Sequence, residues 1–156
     1  CDAAIKENLN FADKVYEEGL KIERYGEANK LADELELLYE KQRYALFKIE
    51  FWLNSIYLKE KCDANYTNVV YFYLDKPSLI EKPKQNSISL ILRSLKEKYG
   101  KSMMLIPIPL DLNLATVNVV KTVYNISIAP TILIDEKVKL EDLHTLKQIE
   151  EHIKNA

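Results

Sequence analysis

A chain of 156 residues in which 47% of side chains are apolar can bury a substantial core, so disorder is not the expectation. Its 22 basic and 24 acidic residues leave a net charge of −2, which excludes a global field that would gather a polyanion, and nucleic acid is not an expected partner. Apolar runs fall far short of the roughly 20 residues that cross a bilayer, so membrane attachment is expected only through a missing N-terminal anchor.

The chain starts at Cys1 rather than methionine. The expectation is that something upstream was removed or omitted, a signal peptide or an anchor, and that the protein works outside the cytoplasm. A cytoplasmic location is the alternative. Two N-x-S/T triplets, at Asn65 and Asn125, permit glycosylation without arguing for it.

Residues 3–62 contain no proline and, of glycines, only Gly19 and Gly26 among many Glu, Lys, Leu and Ala, which predicts helix. Ile5, Leu9, Ala12, Tyr16 and Leu20 mark one face of a first helix ending near Gly26. Leu31, Leu35, Leu38, Gln42, Ala45, Ile49, Trp52 and Ile56 then alternate spacings of four and three, the heptad rhythm of a coiled coil. Leu37, Tyr44, Phe51 and Leu58 run seven apart as a second stripe. Such a helix must be covered on more than one side. The reading is a helical hairpin over 1–64, with Leu37 and Tyr44 as a candidate interaction surface and a homodimer through the hairpin as one outcome.

Cys1 and Cys62 bracket this hairpin, and a disulfide between them would join its open ends outside the cytosol. A turn at Gly26 resists the bridge, because it sets Cys1 opposite about residue 51, roughly 16 Å short of Cys62 along the axis. An extended N-terminal segment could recover the distance. Two free thiols, or a lipidated Cys1, are the other readings.

After "CDANYTN" the pattern changes. "VVYFYL" over 69–74 predicts a strand buried on both faces. "DKPSLIEKPKQ" follows as an exposed loop over 75–85, broken by Pro77 and Pro83. Ile88, Ile91, Leu92, Leu95 and Tyr99 recur at helical spacing before Gly100, and "MMLIPIPL" over 103–110 predicts a second strand, parallel to the first. "NLATVNVVKTVYNI" predicts another helix. "TILID" and "VKLE" form a closing hairpin turning at Glu136 and Lys137, and a last helix turns Leu143, Leu146, Ile149 and Ile153 inward. The order after residue 68 is βαβαββα.

These residues carry a resemblance. Residues 68–155 resemble a thioredoxin-like domain: "NVVYFYL" is similar to its first central strand, "LILRSLKEKYG" to the helix after the active-site loop, and "YNISIAPTILID" to the segment in which a cis-proline precedes the third strand of the motif. The resemblance implies an α/β fold, a thioredoxin-like βαβαββα sandwich over 65–156 behind the α-helical hairpin. It also implies that Ala129 and Pro130 occupy the position whose backbone pairs with an extended peptide. The Cys-x-x-Cys of the family's oxidoreductases is missing, since "DKPSLIEKPKQNS" contains no cysteine, and the loop looks longer than the family's connection.

Without that motif there is no thiolate at the site, and no general base accompanies Ser78, Ser87 or Ser89. His144 and His152 lie two helical turns apart, too far to share an ion, and nothing predicts catalytic residues, a metal or a cofactor. The function expected is a non-catalytic, membrane-anchored, extracytoplasmic module that binds a protein or peptide. The alternative is a thiol-disulfide oxidoreductase, or another enzyme, using Cys62 or the 75–85 loop.

Overall fold

The computed structural model describes residues 1–28 and 34–154, in two compact units, Cys1–Ala64 and Asn65–Ala156. Leu31, assigned above to the second helix, lies outside the described residues.

The first unit is an antiparallel pair of helices, α1 (Asp2–Ala28) and α2 (Glu34–Cys62). Their contacts keep one register. Asn8 Nδ2 donates to Ser55 Oγ at 3.0 Å, Phe11 meets Phe51 with ring centroids 6.2 Å apart, and a Cβ on Gly19 would lie 2.8 Å from Tyr44 Cζ. In each of these pairs the residue numbers add to 62 or 63. Ser55 Oγ also donates to the Phe51 carbonyl at 3.0 Å, so the polar groups of buried Ser55 and Asn8 satisfy one another.

The same register brings Cys1 to Cys62, which form a disulfide with Cα atoms 5.3 Å apart. The turn expected at Gly26 is corrected here: α1 continues to Ala28 and α2 begins at Glu34, so the helices are of nearly equal length, and no extended segment is needed to bring the cysteines together. Ala45, Ile49, Phe51, Trp52 and Leu58 are buried. The buried set thus draws from both stripes read in the sequence.

In the second unit the described residues form one sheet, of β1 (Thr67–Tyr73), β2 (Met103–Pro109), β3 (Thr131–Ile134) and β4 (Val138–Glu141), in the order β2-β1-β3-β4. β1 and β2 are parallel; β3 is antiparallel to both β1 and β4. The helices are α3 (Glu81–Tyr99), α4 (Ala115–Val123) and α5 (Leu146–Lys154).

Alternation along β1 sends Val69 and Tyr71 into a cluster with Ile88, Leu92 and Leu95 of α3 and Ile149 and Ile153 of α5. Val70 and Phe72, on the other face, are also completely buried. A strand buried on both faces has no polar side to show, which is why "VVYFY" is continuously apolar. In α5 only Ile149 and Ile153 are buried, and Leu143 and Leu146, expected to point inward, are exposed. The helix begins only at Leu146, so the two leucines sit ahead of or at its first turn.

Several local devices fix these elements. α3 stops at Gly100, whose φ of 54° suits a residue without Cβ, and whose N–H donates to the Lys96 carbonyl. The Lys98 ammonium and the Tyr99 hydroxyl, the latter at 2.8 Å, donate to Glu150 and tie α3 to α5. Lys98 first, then Tyr99, hold the Glu150 carboxyl below its usual range. The β3–β4 turn uses positive φ at Asp135 and Glu136, and the Asp135 carboxylate accepts the Asn68 N–H at 2.8 Å.

On β2 the Leu110 N–H donates to the Tyr73 carbonyl, so even-numbered residues face β1 and odd-numbered ones face outward. Pro107 and Pro109 therefore occupy outward positions, where no ladder hydrogen bond is lost.

Candidate functional site

One end of the sheet gathers the C-terminal ends of β1, β2 and β4 and the N-terminal end of β3. The loop after β1 is shorter than the sequence suggested. It runs over Leu74–Ile80, and α3 begins at Glu81, so residues 81–85 are helical rather than an exposed loop. A capping box explains the difference: the Ser78 N–H donates to Glu81 Oε2 at 2.8 Å, and the Glu81 N–H donates to Ser78 Oγ at 3.2 Å. Pro83 falls in the first turn, where a missing N–H costs nothing.

Two side chains hold the loop in place. Gln85, buried on α3, accepts the Leu74 N–H at 2.6 Å and donates Nε2 to the Leu74 carbonyl at 3.2 Å, so its amide acts as a strand neighbour for β1 just past its end. The Tyr71 hydroxyl donates to the Gln85 carbonyl at 3.1 Å, and burial pushes its pKa upward against the opposing effect of a hydrogen bond with Ser89. Asp111, following β2, accepts the N–H groups of Asp75 at 2.7 Å and Lys76 at 3.0 Å. Between loop and helix lies an open cleft of about 370 Å³, lined among others by Tyr71, Tyr73, Pro77, Lys82 and Asn86.

The Ala129–Pro130 segment enters beside this loop, because Thr131 pairs with Phe72 and the next residue of β1 is Tyr73. The Ala129–Pro130 peptide bond is cis. The Pro130 carbonyl accepts the Asp142 N–H at 2.9 Å, the Ile128 carbonyl accepts the Thr131 hydroxyl at 2.8 Å, and the Lys84 ammonium reaches the Asp142 carboxylate at 3.0 Å. Ala129, only partly exposed, makes no hydrogen bond through its own N–H or C=O among the described residues. Exposed apolar side chains occur in the loops at this end of the sheet: Leu79 at 92% and Ile80 at 76% of their full accessibility before α3, and Ile128 at 42% just before Ala129.

Other candidates from the sequence are placed elsewhere. Cys62 and Cys1 are bonded to each other in the hairpin. Tyr44 turns its ring toward Gly19 of α1 with Lys48 Nζ 4.4 Å from the ring centroid, and Leu37 is half-buried, so neither is an open surface residue. His144 lies beside the Asp142 carbonyl and His152 is exposed; among the described residues no cluster of metal-ligating side chains forms. Asn65 and Asn125 are both exposed.

Gln85 and Asp111 were not picked out by sequence reasoning. The S-x-x-E of 78–81 is the signal that could have moved the start of the helix and drawn Gln85 inside it.

No family model matches this sequence, and no match is found among curated proteins. Among solved structures, the germline-specific thioredoxin Deadhead of Drosophila melanogaster aligns with a TM-score of 0.44 and 13% identity, over 66% of this chain and 92% of that one. Thioredoxin O2 of Arabidopsis thaliana, in its oxidized state, aligns with a TM-score of 0.43 and 19% identity, over 69% of this chain and 87% of that one. The strand order β2-β1-β3-β4, with β1 parallel to β2, antiparallel to β3 and followed by a helix, gives Asn65–Ala156 a thioredoxin-like fold, one whose β1–α3 loop contains no cysteine.

Proposed function

We propose that the thioredoxin-like unit is a non-catalytic recognition module that binds an extended segment of another protein across the end of its sheet. The observation carrying this reading is the unused backbone of Ala129, at the same end of the sheet as the loop that bears exposed Leu79 and Ile80. An extended peptide can exchange main-chain hydrogen bonds with Ala129 while its side chains cover the apolar rim. Leu79 and Ile80 are consecutive and both exposed, which gives this end of the sheet apolar surface that a peptide could cover. The loop is also built to stay put, since Gln85 and Asp111 between them bind three of its backbone N–H groups. A preordered loop loses less entropy on binding.

A location outside the cytoplasm belongs to the same proposal, supported by the Cys1–Cys62 bridge, of a kind that persists in oxidising compartments. Among the described residues no helix is long and apolar enough to cross a membrane.

The test is a peptide-display selection on the immobilised full chain, followed by titration of the selected peptides. Binding should be lost in Leu79→Asp with Ile80→Asp, while insulin reduction stays at background. Peptides that bind the double variant as tightly as the native chain would overturn the site. Insulin turnover abolished by Cys62→Ser would overturn the non-catalytic reading.

A further inference from the structure

The hairpin unit presents a second surface, unrelated to the peptide site. On α2 the exposed side chains Leu35, Tyr39, Leu46, Leu53 and Tyr57 follow one another at spacings of four, seven, seven and four. At 3.6 residues per turn all five fall within about 40° of one another, a single stripe about 33 Å long. The buried residues of α2, Ala45, Ile49, Trp52 and Leu58 among them, lie outside this stripe. A helix already packed along one face thus keeps a separate apolar seam in water, and the five side chains together expose on the order of 600 Å².

The seam is palindromic. Reversed about Leu46, it superposes on itself: Leu46 falls on Leu46, Tyr39 on Leu53, and Leu35 on Tyr57. Each tyrosine is thereby matched with a leucine, and two large rings never compete for one place. The flanking charges obey the same symmetry. Arg43, which bonds Glu40 at 2.9 Å and lies over the Phe47 ring, would come beside Glu50 of a second copy, and Glu50 beside its Arg43.

We propose that the outer face of α2 is a self-association surface, on which a second copy of this chain binds antiparallel with Leu46 on the two-fold axis. Isologous pairing is what a self-complementary patch supports. Together with its charged flanks the seam approaches the roughly 800 Å² per partner that specific interfaces bury. Leu35, Leu46 and Tyr57 are spaced by eleven residues, close to the natural period of a straight helix, so the two copies of α2 would cross with little left-handed coiling.

Equilibrium sedimentation of the full, disulfide-bonded chain tests this. The native protein should be a dimer. Leu46→Glu, which sets two carboxylates together at the axis, should weaken it about 100-fold. Arg43→Glu and Glu50→Arg should each weaken it about tenfold, and the two combined should recover most of the loss. Circular dichroism should be unchanged throughout, because all three positions are exposed. A native chain that stays monomeric at its solubility limit overturns the proposal, as does a dimer indifferent to Leu46→Glu. Charge reversals that add rather than cancel overturn it as well.

Discussion

Replacing Gly19 by alanine sets two effects of opposite sign against each other. In mid-helix, alanine is better than glycine by about 0.5–1 kcal/mol, because it restricts the unfolded chain and shields the backbone. Its Cβ, however, would lie 2.8 Å from Tyr44 Cζ and nearer still to the hydroxyl, closer than carbon atoms pack. Tyr44 is half-buried, with Lys48 against its ring, so it has little room to retreat. Overpacking of this kind costs about 1–3 kcal/mol. The clash should win, and Gly19→Ala should lower stability by about 1 kcal/mol. In a Tyr44→Ala background the obstacle is gone and only the helix term remains, so the same substitution should raise stability by about 0.5–1 kcal/mol. Urea titrations of the four proteins, followed by helical circular dichroism, close the cycle with a coupling of about 2 kcal/mol. Gly19→Ala acting with the same sign in both backgrounds would refute the packing argument.

Two further outcomes are expected. Burial pushes the Tyr44 hydroxyl up to about 12 from an ordinary value of 10.0, so the folded state binds its proton more tightly than the unfolded chain. The stability this gives is complete below pH 10 and is lost as pH rises from about 10 to about 12, by about 2 kcal/mol after allowance for partial solvent access. Tyr44→Phe should therefore flatten the alkaline fall in urea midpoint, and equal slopes would count against it. Opening the Cys1–Cys62 bridge, which spans 61 residues, should destabilise the hairpin by about 4 kcal/mol through the entropy of the unfolded loop. Thermal melts of the Cys1→Ser, Cys62→Ser double variant measure that loss, and an unchanged midpoint would show that the bridge closes no loop of consequence.

The order of strands and helices was legible because β1, β2 and β3 are short apolar runs, β4 follows β3 across a tight turn, and the helices beyond residue 80 repeat at three and four. The start of α3 was not, since Pro77 and Pro83 suggest a loop throughout, and only the pairing of Ser78 with Glu81 separates a proline in a first turn from one in a coil. On α2 both heptad stripes are apolar, and periodicity cannot say which of them a neighbour will cover. Tyr44 could therefore be read only as a candidate interaction position, and Gly19, the small residue it packs on, sits on the other helix. Gln85 and Asp111 escaped notice because their partners are main-chain groups of a loop, whose position no spacing encodes. The register of the hairpin, and with it the meeting of Cys1 and Cys62, depended on α1 running past Gly26 to Ala28 and α2 beginning at Glu34.

The proline pair on β2 bears on how this sheet behaves among other unfolded or crowded chains. A terminal strand normally offers alternating donors and acceptors to any passing strand, which is how sheets recruit one another into aggregates. Here two of the outward positions, Pro107 and Pro109, offer acceptors only, so a strand arriving on that side would find its own carbonyls unanswered. Growth of the sheet past β2 is opposed chemically at these two positions. Replacing those prolines by valine would leave β1 pairing intact while restoring the missing donors, and with them a free template for aggregation.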